Sequence, residues 1–386
     1  MSFEGRVTID VRRGEAPVVR VSFTQPGDVT RALLGKTPAE AQTIVPALYA
    51  LCGKAQAHAA RLALDAAEGR TPGIAELTGL QCLTDMESLR ENTLRIALDW
   101  PRLLGERADP AGLKPLMRLV SDLESVLRSG DDARAGDAGK GFARDSVLRV
   151  IDAAERLLAE LVFGEPLAHW QARLDADAVC AWAAQGRTPA GRLVHHIHSQ
   201  GKAEAGSIFL HRLAPLDGHA VLAWLAAGSE QALPLMSGRP VPETTLLARH
   251  AGDRRLARVT ANGQSGHGLW ARLTARLIEL SELPAHMRDL LCGRLAPCAG
   301  RALGEATGMG EVTAARGTLM HVAAVEDGRI TRYRVLAPTR WNFDADGVAS
   351  RAVESIAVEH GEDAKMLAEL MVNAIDPCVA YSVGVH

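Results

Sequence analysis

No two cysteines of this sequence stand in Cys-x-x-Cys spacing: the six, at 52, 82, 180, 292, 298 and 378, are scattered along the chain. That scatter gives no support to a zinc ribbon or a disulfide framework, and the thiols are expected to be reduced. Long apolar runs are missing too. No uncharged stretch approaches the roughly 18 residues needed to span a bilayer, and the N-terminus lacks the basic and then apolar pattern of a secretory signal. A cytoplasmic protein without membrane insertion is expected. Neither sign of charge dominates, with 43 Lys and Arg against 46 Asp and Glu, which leaves no electrostatic footprint for nucleic acid. What is present is a globular balance of 47% hydrophobic and 23% charged residues over 386 positions, enough to bury a large core. No internal repeat is found.

Alternation over residues 6–23 predicts a β-hairpin, and Thr37-Pro38-Ala39-Glu40 reads as a helix start with Thr as N-cap and Glu at N3. Helical spacing covers about 39–67 with a break at Gly53, and then 76–104, 111–128 and 144–163. The glycine-rich stretch between the last two, 129–143, is expected to be a flexible surface loop. Two short helices are expected over 165–200, a strand at Ser207–Leu213, and helices at 269–282 and 285–303. Residues 320–336 form a hairpin around Asp327-Gly328, and a last helix over 350–374, interrupted at Gly361, leads into Asp376-Pro377-Cys378. The whole reads as one mainly α domain, residues 1–386: a helical bundle with small peripheral hairpins and a C-terminal tail at 376–386.

Cys52 precedes a glycine near one end of the chain and Cys378 follows Asp-Pro near the other, so the two can meet as a two-thiolate metal site. In an unbroken helix His58 would lie about 240° round the axis from Cys52, so the two share an ion only if Gly53 reorients the chain. For most free cysteines core packing is the ordinary role, and this reading suits Cys82, Cys180, Cys292 and Cys298. His195, His196 and His198 sit close together without a carboxylate or cysteine at matching spacing, which argues against a metal site. Arg316 reads as a loop arginine able to bind an anion. Trp341-Asn342-Phe343 reads as a packing anchor.

In their order these stretches resemble the large subunit of nickel-iron hydrogenases. That family's opening Glu-Gly is met at Glu4-Gly5, its Arg-x-Cys-Gly-x-Cys in part at residues 50–55, and its Gly-Pro-Leu-Ala-Arg segment at Thr245–Arg249. Its Ala-Pro-Arg-Gly with a following histidine is met at residues 314–317 with His321, its Pro-Thr-x-Trp-Asn at 338–342, and half of its Asp-Pro-Cys-x-x-Cys at 376–378. In the family the second cysteine of each pair bridges nickel to iron. Here those positions are Ala55 and Tyr381, and the family's histidines fall out of register, at His58 and His386.

The pattern is similar to hydrogenase expression/formation proteins of the HupK/HoxV type. The resemblance implies a non-catalytic scaffold that holds an iron fragment, carrying two cyanides and one carbon monoxide, on Cys52 and Cys378, with Arg316 contacting cyanide and no nickel expected. Glu4, His58, Tyr381 and His386 are secondary candidates for the site. Hydrogenase accessory chaperones and the large-subunit precursor are the implied partners. A metal-free chaperone on the same fold is the alternative, and a catalytic subunit with a rearranged site is a third reading.

Overall fold

The two ends of the chain lie side by side in one small sheet. β1 (Arg6–Arg12) pairs antiparallel with β2 (Val18–Thr24) and, along its other edge, parallel with β7 (Ala380–Val385). Val7, Ile9 and Val11 are buried at alternate positions, the period of a strand with one face on the core. The computed structural model describes residues 5–12, 17–24, 29–49, 51–132, 143–227, 240–257 and 266–386. The turn of the expected N-terminal hairpin and Glu4 lie outside the described residues.

α1 (Pro38–Leu48) begins with the expected capping box: Thr37 Oγ1 accepts from the Glu40 amide, and the Glu40 carboxylate accepts from Thr37 N at 2.8 Å. The chain then leaves the helix, and α2 (Gly53–Ala67) starts afresh. α3 (Ile74–Leu94) runs through a π-helical turn, Arg95–Asp99, into α4 (Trp100–Leu103). α5 (Lys114–Asp132) continues into the expected loop, so residues 129–132 are helical, while 133–142 lie outside the described residues. α6 (Arg144–Leu158) ends in a second π turn, and α7 (Leu167–Gln171), α8 (Ala176–Ala183) and α9 (Pro189–Ser199) replace the two helices expected there. α10 (Gly218–Ala226) and α11 (Leu246–His250) follow. The expected strand at 207–213 is absent, reduced to one bridge between Arg212 and Glu243.

α12 (Leu269–Leu291) is a single helix where two were expected, and Pro284 sits inside it. A proline removes one helical hydrogen bond, but the turn around it, Leu283, Pro284 and Met287, is buried, and tertiary packing keeps the helix continuous. α12 is the axis of the bundle, packed by α3, α6, α9 and α15 (Ala364–Ile375). Residues 301–303, expected as its continuation, belong to a strand.

That strand opens a four-stranded antiparallel sheet in the order β3 (Arg301–Gly304), β4 (Thr307–Ala314), β5 (Gly317–Glu326), β6 (Arg329–Leu336). The hairpin expected around Asp327-Gly328 is its second half. Both turn residues have positive φ, 50° and 72°, as a two-residue hairpin turn of this hand requires. α2 lies directly on the sheet. A Cβ on Gly308 or Gly310 would come within 3.0 Å of the Ala63 or Ala59 carbonyl, so glycine at two alternate positions of β4 is what lets the helix backbone settle there. α13 (Pro338–Asn342) and α14 (Val348–Glu359) complete the chain before α15, with the expected interruption at Gly361. No helix among the described residues is long and apolar enough to cross a membrane.

Candidate metal centre

Cys52 is the N-cap of α2, with φ −132° and ψ 35°, and its side chain makes no capping hydrogen bond. The amides a cap would satisfy, those of Lys54 and Ala55, donate instead to the two carboxylate oxygens of Glu87 on α3, each at 3.0 Å. Glu87 thus takes over the capping and leaves the sulfur out of it. Burial raises the Glu87 carboxyl pKa, against the pull of those two amides. One turn into the helix, Gln56 Nε2 donates to Cys52 Sγ at 3.6 Å.

Cys378 arrives from the other end of the chain. α15 stops at Asp376, whose φ of 65° turns the backbone into the left-handed region, and Pro377 prevents the helix from resuming. The Cys378 amide then donates to Thr339 Oγ1 at 3.1 Å, and that hydroxyl is 2.9 Å from Cys378 Sγ. Thr339 sits in the first turn of α13, so a proline-initiated helical turn anchors the cysteine.

Arg316 comes in on the tight turn between β4 and β5 and is buried. Asn92 donates to the Ala315 carbonyl at 3.4 Å and Asn342 to the Arg316 carbonyl at 3.3 Å, which clamps the turn from both sides. Gly317 has φ 127°, and a Cβ there would meet the Thr244 carbonyl well inside 3.0 Å. The guanidinium pairs with Glu91 at 3.3 Å and Asp376 at 3.4 Å, yet its Nη1 has no hydrogen-bond partner among the described residues. A buried donor without an acceptor costs about 1–3 kcal/mol, which an acceptor on a water or a ligand would recover.

The charges interlock. Asp376 faces three arginines: Arg95 at 2.9 Å, Arg316 at 3.4 Å and Arg276 at 3.5 Å. Burial opposes its charge, but Arg316, Arg95 and Arg276 together hold the carboxyl below its ordinary range. Burial likewise opposes the Arg316 cation, and Asp376, Glu91, Cys378 and Cys52 more than offset it. Cys52 is pushed up to about 12, first by burial and then by a negative charge on Cys378, with Arg316 pulling the other way. Each thiol therefore lies within electrostatic reach of the other and of the same arginine.

Among the described residues no group of three or more His, Cys, Asp or Glu side chains converges on a metal position. The pair supplies two sulfurs at most, so a metal held here must bring its remaining ligands. A soft metal would take the two sulfurs as thiolates, and ligands of its own that accept hydrogen bonds would suit the guanidinium N–H.

The secondary candidates are spread more widely. His58 is buried and turned to α3, with Nδ1 3.0 Å from Thr84 Oγ1 and Nε2 unpartnered; burial lowers its pKa to about 4. It does not join the thiols. Tyr381 pairs with Val7 across the sheet, and its phenol lies among Asn373, Asp99 and Arg95, one step behind Asp376. His386 is at the far end of β7, its side chain 70% exposed and 3.8 Å from Asp10. At about 3.3 Å per strand residue it lies more than 20 Å from Cys378 along the strand. Cys82 is in the core, Cys292 accepts from Arg144 at 2.7 Å, and Cys298 is raised by burial. His195, His196 and His198 occupy the last turns of α9, and Arg249 pairs with Glu279. Sequence reasoning missed Glu87, Gln56, Thr339 and the carboxylates and arginines around Asp376. Two of these had a signal: Thr339 by its place inside the Pro-Thr-x-Trp-Asn run, and Gln56 by standing four residues after Cys52, on the same face of a helix.

The fold defines the class: it is the architecture of the large subunit of nickel-iron hydrogenases. The chain superposes on the Ni-Fe-Se hydrogenase from D. vulgaris Hildenborough with a TM-score of 0.59 at 14% identity, covering 94% of this chain and 95% of that one. An NAD+-reducing [NiFe]-hydrogenase gives 0.55 at 21% identity, over 94% and 92%. Residues 255–386 match the family described as nickel-dependent hydrogenase. The hydrogenase expression/formation protein HupK of Rhizobium leguminosarum bv. viciae is 32% identical over 98% of this chain and 96% of its own length. HoxV of Cupriavidus necator is 29% identical over 99% and 96%. The chain belongs to this family of hydrogenase expression/formation proteins.

Proposed function

We propose that this chain serves hydrogenase maturation as a non-catalytic scaffold, a cytoplasmic carrier of iron. Its cargo is an iron fragment with two cyanides and one carbon monoxide, held on the thiolates of Cys52 and Cys378 before passing to the hydrogenase large subunit. The observation that supports the reading is that two thiols from opposite ends of the chain lie within electrostatic reach of each other and of Arg316, whose buried Nη1 has no hydrogen-bond partner among the described residues. A fragment that brings its own carbonyl and cyanides needs few protein ligands, and a cyanide nitrogen is an acceptor of the kind the unpaired Nη1 lacks. Metal binding would keep both sulfurs deprotonated against the burial that raises Cys52. Ala55 and Tyr381 offer no bridging thiolate, so nickel has no place in this reading.

The partners this reading requires are an accessory chaperone that delivers the fragment and a large-subunit precursor that receives it. Anaerobic purification from cells with the maturation machinery is expected to give about one iron per chain, lost in Cys52→Ser and in Cys378→Ser. Iron that persists in both variants refutes the assignment.

A second reading has one observation in its favour: both sulfurs already have protein partners, Gln56 and Thr339. The chain would then be a metal-free chaperone on the same fold. Capture of the large-subunit precursor by the Cys52→Ser, Cys378→Ser double variant, as well as by wild type, is its signature. A catalytic subunit with a rearranged site would instead show bound nickel and hydrogen-dependent dye reduction.

A further inference from the structure

The side chain that touches Cys52 does not stand alone. His321, on β5, places Nε2 2.7 Å from Gln56 Oε1 and Nδ1 2.7 Å from the Tyr333 hydroxyl on β6. The three side chains are buried, and the His321 and Tyr333 rings meet edge to face at 5.6 Å. The hydrogen bonds have one consistent direction. Gln56 Oε1 can only accept, so His321 carries its proton on Nε2; Nδ1 is then an acceptor, and the tyrosine hydroxyl donates to it. The amide held this way presents its N–H2 to Cys52 Sγ.

We propose that Tyr333, His321 and Gln56 form a positioning relay that fixes one N–H donor on the Cys52 sulfur and tunes how strongly it donates to bound iron. The inference rests on the iron-carrying reading above. Its logic is that of an outer-sphere ligand: a hydrogen bond to sulfur withdraws electron density from the metal–thiolate bond. Burial drives the His321 pKa down to about 3, so the imidazole stays neutral and its tautomer is set by its neighbours. Cys378 is met instead by the Thr339 hydroxyl at 2.9 Å, so the two sulfurs have different hydrogen-bond partners.

The test is infrared spectroscopy of anaerobically purified, iron-loaded protein. Gln56→Met removes the donor, and Tyr333→Phe keeps the ring shape while releasing His321 Nδ1. A more electron-rich iron weakens its carbonyl and cyanide bonds, so all bands are expected to move to lower wavenumber in Gln56→Met and, by less, in Tyr333→Phe. Thr84→Val disturbs an equally buried polar contact, that with His58, and should leave the bands in place. If Gln56→Met does not fold, Tyr333→Phe alone decides. Coincident bands in wild type and these variants overturn the relay while leaving the carrier reading intact. Wild type without any carbonyl or cyanide band overturns both.

Discussion

Replacing Asp376 by Asn removes one negative charge from the centre of three arginines while changing the volume little. Asp376 is 3% exposed, and its contacts to Arg95, Arg316 and Arg276 run from 2.9 to 3.5 Å. Breaking a buried ion pair by deleting one partner costs about 3–5 kcal/mol, because the remaining charge is stranded. At 1.4 kcal/mol per tenfold, that is about two to four powers of ten in the folding constant. Urea denaturation reads it directly: with a slope of about 3 kcal/mol/M, the midpoint of Asp376→Asn falls by about 1–1.7 M. Glu106→Gln is the control, since its pair with Arg192 has side chains 39% and 37% exposed and is expected to change stability by under about 1 kcal/mol. The pH dependence has a fixed sign. The folded carboxyl is held below its unfolded value of about 3.9, so its contribution is complete above that pH and is lost as pH falls through the lower folded value. The gap between wild type and variant should stay constant from pH 7 to 5 and close in stronger acid. A midpoint shift no larger than that of Glu106→Gln refutes the account of Asp376 as keystone.

Other perturbations follow from the same geometry. Glu87→Ala strands the Lys54 and Ala55 amides and should cost about 2–4 kcal/mol, with hydrogen exchange accelerated at the start of α2; Glu87→Gln, which keeps one acceptor, should lose less. Gly317→Ala puts a Cβ into the Thr244 carbonyl at φ 127° and should lower the thermal midpoint far more than Gly328→Ala, where φ is 72° and the space is open; equal shifts contradict the close packing. His286 donates to Asp85 at 2.7 Å, and that hydrogen bond raises its pKa against burial. Its stabilising contribution is therefore complete below the unfolded value of about 6.5 and lost as pH rises through the folded one. An NMR titration of His286 should have its midpoint above 6.5 and fall in Asp85→Asn.

The long amphipathic helices, the break before α2 and the Asp-Gly turn were legible because each follows from a local rule: periodicity, capping and left-handed φ. Pro284 misled because the proline penalty is local, whereas the burial that overrides it comes from the helices around α12. Residues 301–303 of β3 were expected as the end of a helix, and β4 was missed because its Gly308 and Gly310 look like strand breakers. Their alternate spacing was the available signal, but its meaning depends on a helix that approaches from elsewhere in the chain. The two thiols and Arg316 stood out in the sequence as a candidate thiolate pair and an anion-binding arginine, and only the family resemblance joined them into one site. The charges that hold them were not legible, since Arg95, Arg276 and Asp376 meet across about 100 to 280 residues of chain, and no spacing rule links them.

β7 lies along β1, and Cys378, two residues before that strand, is held in place by Thr339 of α13. Carriage of iron by Cys52 and Cys378 is the proposal most open to a direct check. An infrared spectrum of the anaerobically purified protein, taken from cells that express the maturation machinery, should contain one carbonyl and two cyanide bands. Cys52→Ser and Cys378→Ser should each abolish them. A wild-type spectrum empty in that region, or bands that survive both substitutions, would contradict the account.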